Sequence, residues 1–126
     1  MPLLGKSYFH VVELKTLVIR SAIPEQTAEF YTCLGIAFEH HRHGQGPYHY
    51  SGYIGSTLLE IYPLAKGQDK PDNTLRMGLT VDAFEDVISV LQAQGATFHQ
   101  APTVTEWGVM AIVVDPEGRK IEIYKA

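Results

Sequence analysis

The chain has 126 residues, of which 45% are hydrophobic and 19% are charged, and its formal net charge is -4. This length predicts one domain with a buried core, and the mild acidity without any Lys/Arg-rich tract argues against a nucleic-acid partner. We expect no membrane segment, because no apolar run reaches the ~18 residues that a spanning helix needs, and the opening run is too short for a signal peptide. The only cysteine, Cys33, excludes an internal disulfide and favours a reducing, cytoplasmic location.

The first half of the chain reads as a strand, a helix and three further strands. Apolar and β-branched residues predict a strand over 14–21, and 23–35 reads as a helix with Pro24 at its first position. One face of this helix carries Thr27, Phe30, Tyr31 and Leu34. Three strands are predicted over 36–43, 48–55 and 57–64. The segment HGQGP supplies the turn between the first two of them.

The second half repeats this order after a polar connector. A strand is predicted over 74–81, and Asp82 is expected to cap the next helix, with Glu85 completing a capping box. The apolar stripe of this helix is Phe84, Val87, Ile88 and Leu91. Strands are predicted near 96–104, 108–115 and 119–126. The segment DPEG forms the last turn, since Pro fixes φ and Gly tolerates the left-handed region.

The last strands of the two halves carry nearly the same phrase, LLEIYP at 58–63 and KIEIYK at 120–125. Since side chains alternate along a strand, the central Glu of each phrase lies opposite the apolar face. The same alternation applies to the opening strand of each half. We therefore expect four side chains to converge on one concave surface, namely Thr16, Glu60, Arg76 and Glu122.

Two stretches resemble the vicinal oxygen chelate superfamily, which groups glyoxalase I, bleomycin resistance proteins and extradiol dioxygenases. They are EFYTCLGIAFE at 29–39 and WGVMAIVVDPEGRKIEIY at 107–124. The resemblance implies an α+β fold in which two βαβββ modules form a cupped mixed sheet, with the helices on its convex face. It also implies pairing as a homodimer, either domain-swapped or side by side.

The resemblance implies one domain of this type over 1–126. Its first module covers about 14–64, its linker about 65–73 and its second module about 74–126. The role of residues 1–13 stays open between an extension of the first strand and an added strand.

Metal-using members of this superfamily place a His on the first strand of each module and a His or Glu in each last strand. The matching positions here are Thr16, Arg76, Glu60 and Glu122. Arg76 cannot ligate, because a guanidinium has no acceptor atom, but it could neutralise the carboxylates itself. We therefore expect no metal cofactor. The alternative is a divalent metal such as Zn, Ni, Fe or Mn held by Glu60 and Glu122.

Other side chains have competing interpretations. The histidines around HGQGP are His40, His41, His43 and His49, which form either a solvated hairpin or a metal or anion site at the rim of the cup. Trp107 and Tyr50 are expected to line the cup as aromatic walls. Cys33 has no activating base beside it in the sequence, so a nucleophilic role is not expected.

The favoured interpretation is a metal-independent binding protein that holds a small aromatic or cationic organic molecule for sequestration or resistance. The predicted substrate-binding residues are Thr16, Glu60, Arg76, Glu122, Trp107 and Tyr50. One alternative is a metal-dependent lyase, isomerase or dioxygenase of the glyoxalase I type that uses Glu60 and Glu122. In a third interpretation, Arg76 only joins the two modules and the cup is closed.

Overall fold

The computed structural model describes residues 10–126, which form two helices and eight strands in the order βαβββ twice. The first module contains β1 (Thr16–Ser21), α1 (Pro24–Thr32), β2 (Phe38–His41), β3 (His49–Ile54) and β4 (Thr57–Pro63). The second contains β5 (Met77–Val81), α2 (Phe84–Ala93), β6 (Thr97–Thr105), β7 (Gly108–Val114) and β8 (Lys120–Lys125). The predicted α+β fold of two βαβββ modules is confirmed. The predicted role of residues 1–13, either an extension of the first strand or an added strand, falls mostly on residues 1–9, which lie outside the described residues.

Each module forms a four-stranded mixed sheet, with strand order β1-β4-β3-β2 in the first and β5-β8-β7-β6 in the second. In both, the first strand is an edge strand that pairs in parallel with the last strand, and the remaining pairs are antiparallel. Leu59, Ile61, Ile121 and Ile123 of the last strands are fully buried in the core. The repeated phrases therefore form an inner strand of each sheet. Their alternation predicted which of their residues are buried.

The two helices cover one face of their own sheets. Pro24 stands in the first turn of α1, where its missing N–H costs no helical hydrogen bond. The residues of both predicted stripes are buried, namely Thr27, Phe30 and Tyr31 of α1, Leu34 in the turn after it, and Phe84, Val87, Ile88 and Leu91 of α2. Within the described part of the chain, neither helix is long and apolar enough to cross a membrane.

The predicted capping box of α2 is wrong. The helix begins at Phe84, its N-cap position is Ala83, and no side chain of the described residues caps it. Asp82 therefore lies one residue too early to reach the free N–H groups of the first turn. Glu85 and Asp86 lie in that turn instead, where the positive end of the helix dipole favours carboxylates.

The predicted DPEG turn is confirmed and lies where the modules meet. Gly118 has φ +94°, and its N–H donates to the Asp115 carbonyl at 2.9 Å. The side chain of Asp115 accepts the N–H groups of Glu117 at 2.8 Å and of Arg119 at 3.0 Å. This carboxylate thus holds the turn and the residue after it in one conformation.

The turn contacts the first module through Arg119, which is 1% exposed. Its Nη2 donates to the Arg20 carbonyl at 2.6 Å, and its Nη1 lies 3.3 Å from Asp115 Oδ2, which also accepts the Tyr31 hydroxyl at 2.7 Å. Glu117 adds a bond from the Ser21 hydroxyl at 2.7 Å. Arg119 therefore joins the modules, whereas Arg76 pairs with Glu122 inside its own module.

Candidate functional site

The surface opposite the helices, here called the cup face, carries Glu60 in the first sheet and Glu122 in the second. The alternation of buried and exposed residues supports this placement, since Val18 on this face is 46% exposed while Ile19 is 3% exposed. Val18 pairs with Glu60 across β1 and β4, and Gly78 pairs with Glu122 across β5 and β8. On the first strand of each module, the direct neighbours of the two carboxylates are therefore a Val and a Gly.

In the second module, two protein groups hold the Glu122 carboxylate. Arg76 Nε donates to Oε2 at 2.6 Å and the Tyr124 hydroxyl donates to Oε1 at 2.6 Å. The hydrogen bond from Tyr124, with a further contribution from Arg76, lowers the pKa of Glu122, and the same bond raises the pKa of Tyr124. Glu122 is therefore a stable anion with a cation already beside it.

Gly78 is exposed beside this group. A Cβ atom placed at Gly78 would lie 3.5 Å from the Tyr124 ring and 3.7 Å from Glu122 Oε1, which are ordinary contacts. A larger side chain at this position would therefore cover the carboxylate without displacing the backbone.

In the first module, Glu60 lies beside a buried imidazole. His49 is 1% exposed, and its Nε2 lies 3.3 Å from Glu60 Oε2. The Ser51 hydroxyl donates to the same oxygen at 3.4 Å. The His49 ring stacks on Tyr62 with ring centres 4.2 Å apart, and the Arg20 guanidinium lies 5.0 Å from the Tyr62 centroid. Three neighbouring strands thus fix the position of the imidazole.

The histidines that the sequence grouped together divide between the two faces of the sheet. One ring nitrogen from each of His41, His43 and His49 lies within 4.8 Å of those of the other two. His40 belongs to the opposite face, where it stacks on Tyr50 at 4.3 Å. Three of the four histidines therefore form a cluster, and that cluster lies beside Glu60.

Of two cavities of similar size, one borders the Glu60 group. A depression of about 390 Å³ on the first sheet is lined by His41, His43, Ser51, Tyr53 and Glu60, among others. A second cavity of about 380 Å³ lies on the helix side, lined by residues of both helices that include Cys33. Burial raises the pKa of the Cys33 thiol, which lowers its thiolate fraction and with it its reactivity. Of the polar groups described above, His41, His43, Ser51 and Glu60 border the first cavity.

The six predicted binding residues do not all meet. Arg76 and Glu122 are in contact, and Thr16 is exposed at the start of β1. Tyr50 pairs with the buried Ile61 and packs against the core, so it lies on the face away from Glu60. Trp107 is 76% exposed in the turn between β6 and β7. Among the described residues, no hydrogen bond or ion pair links Glu60 to Arg76 or Glu122.

The metal positions that the resemblance implies do not fit a metal in this chain. Neither Thr16 nor Arg76 offers an imidazole, and the guanidinium that does reach Glu122 would place a fixed charge beside an ion. On the first strands, the direct neighbours Val18 and Gly78 offer no ligand side chain either. No reaction step is therefore assigned to a metal at these positions.

Solved structures share this fold at low sequence identity. The antibiotic binding protein TnmS3 from a Streptomyces species has a TM-score of 0.71 at 18% identity, with 94% of this chain and 98% of that chain covered. An integron cassette protein from the mobile metagenome of V. cholerae has a TM-score of 0.68 at 19% identity, with 94% and 98% covered. TioX from a Micromonospora species has a TM-score of 0.67 at 15% identity, with 89% and 97% covered.

A search of proteins with curated descriptions found no match. The family model for the Glyoxalase/Bleomycin resistance protein/Dioxygenase superfamily matches residues 10–123. That match spans both modules, including the strands that carry Glu60 and Glu122. The chain therefore belongs to the glyoxalase/bleomycin resistance protein/dioxygenase superfamily.

Proposed function

We propose that this protein binds a small, planar aromatic organic molecule on the cup face without a catalytic metal, as a sequestration or resistance protein. The arrangement at Glu122 is the observation that supports this most strongly. Arg76 and Tyr124 each donate a 2.6 Å hydrogen bond to one of its oxygens. The carboxylate thus has a protein cation and a protein donor in place, beside the exposed Gly78.

The charges of the cup face favour a neutral or weakly cationic ligand. Glu122 is paired with Arg76, whereas the Glu60 carboxylate has the Ser51 hydroxyl and the His49 ring nearby and no Arg or Lys paired with it among the described residues. The exposed part of this surface includes Val18 and parts of Tyr62 and Tyr124, which offer apolar and aromatic contact. The depression beside Glu60, at about 390 Å³, lies in the size range of small-molecule sites, roughly 300–1,000 Å³.

The comparison with TnmS3 is consistent with this proposal. That protein is described as an antibiotic binding protein, and it shares the fold of this chain over nearly its whole length. At 18% identity the likeness carries the fold alone. The ligand of this chain is inferred from its own cup face, and a cytoplasmic location is part of the proposal because Cys33 is the only cysteine.

A homodimer is the second part of the proposal. Within the described residues, β1 and β5 are edge strands of separate sheets, and no polar contact links the Glu60 and Glu122 groups. Val18, which is exposed on β1, adds an apolar contact surface at the edge. A second copy that brings one Glu60 surface against the other copy's Glu122 surface would enclose a ligand on both sides.

A thermal-shift screen of small aromatic compounds in chelator-containing buffer tests the proposal, with wild type and Gly78→Leu compared. We expect some compounds to raise the melting temperature of wild type and to have a much smaller effect on Gly78→Leu, because the leucine covers Glu122. Val90→Leu is the matched control, since Val90 is partly exposed on α2, away from the cup face. Equal shifts in wild type and Gly78→Leu would place the ligand elsewhere.

The enzymatic alternative gives a different result in the same screen. A lyase, isomerase or dioxygenase that uses Glu60 and Glu122 would convert a hemithioacetal or a catechol, and Glu122→Gln would abolish the turnover. Mass spectrometry of each stabilising compound separates the two outcomes, after incubation with chelator and, in parallel, with Zn²⁺ or Mn²⁺ in place of the chelator. The binding proposal predicts unchanged compounds, and metal-stimulated conversion would overturn it.

A further inference from the structure

We propose that His41, His43, His49 and Glu60 form a structural binding site for a transition-metal dication such as Zn²⁺ on the cup face of the first sheet. The three histidines lie on β2, on β3 and in the hairpin between them, and one nitrogen of each lies within 4.8 Å of the others. This site is distinct from the Glu122 group, and His41, His43 and Glu60 of it also line the depression on the first sheet.

The ring of His49 directs its lone pair into the cluster. Its Nδ1 lies 3.3 Å from the Pro47 carbonyl, which can only accept, so Nδ1 carries the hydrogen in this contact. In the neutral ring, Nε2 is then an unprotonated acceptor. This Nε2 is buried and has no hydrogen-bond partner among the described residues.

The closest polar neighbour of that nitrogen is another acceptor. Glu60 Oε2 lies 3.3 Å from His49 Nε2. Two acceptors at this distance, one buried and one half-buried, repel each other unless a cation lies between them. Two ligands that each lie about 2.1 Å from a tetrahedral Zn²⁺ are about 3.4 Å apart. The observed separation therefore suits a shared metal ion.

His41, like His49, directs Nε2 toward the cluster and Nδ1 away from it. Its Nδ1 faces the Glu39 carboxylate at 3.9 Å, and its Nε2 faces inward, 3.4 Å from the Ser51 hydroxyl. Metal-bound histidines characteristically direct their second nitrogen to a carboxylate or a backbone carbonyl, which orients the ring and makes it a better ligand. His49 thus has an outer hydrogen-bond partner of this type, and a carboxylate lies on the outer side of His41.

The ligand set decides the class of ion and its role. Three imidazoles and one carboxylate suit Zn²⁺, Ni²⁺ or Cu²⁺ better than Mg²⁺ or Ca²⁺, which prefer oxygen ligands. Four protein ligands complete a tetrahedral shell and leave no position for a reactive water. His43 lies at the exposed start of the hairpin turn, so its ring can rotate toward the other three. The ion would tie the β2–β3 hairpin to β4.

Zinc titration of the chelator-stripped full chain tests this site by calorimetry, with metal analysis after dialysis. We expect one Zn²⁺ per chain in wild type and loss of that binding in His49→Gln and His43→Gln. His43 is exposed, so its variant is expected to keep the fold. His40→Gln is the matched control, because His40 lies on the opposite face and should leave zinc binding unchanged.

Side-chain nitrogen NMR identifies the ligand atoms directly. We expect the Nε2 signals of His41 and His49 to shift on zinc addition while Nδ1 of each stays protonated. Absence of tight zinc binding by wild type, or equal loss in His40→Gln, would overturn the proposal. A protonated Nε2 in His49 that persists in excess zinc would also overturn it, because a proton would then occupy the place assigned to the metal.

Discussion

Arg119 of the second module donates a 2.6 Å hydrogen bond from Nη2 to the backbone carbonyl of Arg20 in the first module. Its guanidinium is almost fully buried and pairs with Asp115, whose carboxylate also accepts the Tyr31 hydroxyl. Burial and the adjacent carboxylate raise the pKa of Tyr31, so the phenol stays a donor at any ordinary pH. The orientation of one module on the other therefore depends on a buried polar network.

Arg119→Met is expected to lower the free energy of unfolding by about 3–5 kcal/mol, because it leaves the buried Asp115 carboxylate without its cation. Urea denaturation followed by circular dichroism measures this. Lys125→Met is the control, since its pair with Glu85 is exposed and such pairs contribute about 1 kcal/mol or less. Similar losses in the two variants would show that the Arg119 network does not stabilise the module junction.

Gly52 and Gly78 are expected to respond differently to the same added methyl group. A Cβ at Gly52 would lie 2.6 Å from a methyl group of Ile36 and 2.7 Å from the Ala37 carbonyl oxygen. Gly52→Ala should therefore cost about 1–3 kcal/mol through overpacking. Gly78→Ala makes only ordinary contacts and should be near neutral. Thermal unfolding of the two variants checks this, and equal stabilities would contradict the packing described at Gly52.

Glu122 makes an acid-sensitive contribution to stability. Its pKa is lowered from an ordinary value of 4.5, first by the hydrogen bond from Tyr124 and then by Arg76. A carboxyl with a lowered folded-state pKa stabilises the protein above the unfolded-state pKa and loses that contribution as pH falls through the folded-state pKa. As pH is lowered through this range, the free energy of unfolding should therefore fall less steeply for Glu122→Gln than for wild type.

Carbon NMR of the carboxyl groups tests the cause of that shift. Tyr124→Phe removes the hydrogen bond to Glu122 Oε1, so the pKa of Glu122 should rise toward its ordinary value. Tyr53→Phe is the control, since Tyr53 is exposed on β3. An unchanged Glu122 pKa in Tyr124→Phe would mean that the hydrogen bond does not hold the carboxylate.

The proposed homodimer predicts a mass twice that of one chain in light scattering after size-exclusion chromatography. Val18→Lys places a charge on each copy at the edge of the cup face and should shift the protein toward the monomer. Val90→Lys on α2 should leave the mass unchanged. A monomeric wild type at high concentration would contradict a cup completed across two copies.

The sequence predicted the fold well because strong periodic signals set it. The alternation in LLEIYP and KIEIYK predicted which residues of β4 and β8 are buried, and the helical stripes predicted the core faces of α1 and α2. The N-cap of α2 was predicted one residue too early, at Asp82. Asp is the better capping residue, but the N-cap is Ala83 and the helix begins at the buried Phe84.

The site was less predictable, because register and loop geometry decide it. Alternation put Arg76 and Glu122 on one face, but only the register shows that Gly78 is the direct neighbour of Glu122. Alternation within β3 also separates Tyr50 from His49, and pairing with β4 was needed to place His49 beside Glu60. Arg119 and Arg20, which are in contact, lie 99 positions apart in the chain. No local sequence pattern predicts their contact.

The most direct test of the central claim is calorimetric titration of an aromatic ligand from the screen into wild-type protein in excess chelator. The proposed function predicts that binding persists there, because Arg76 supplies the positive charge beside Glu122, and that Arg76→Gln weakens it. Binding that disappears in chelator and returns when Zn²⁺, Ni²⁺ or Mn²⁺ is restored, both in wild type and in His43→Gln, would contradict it.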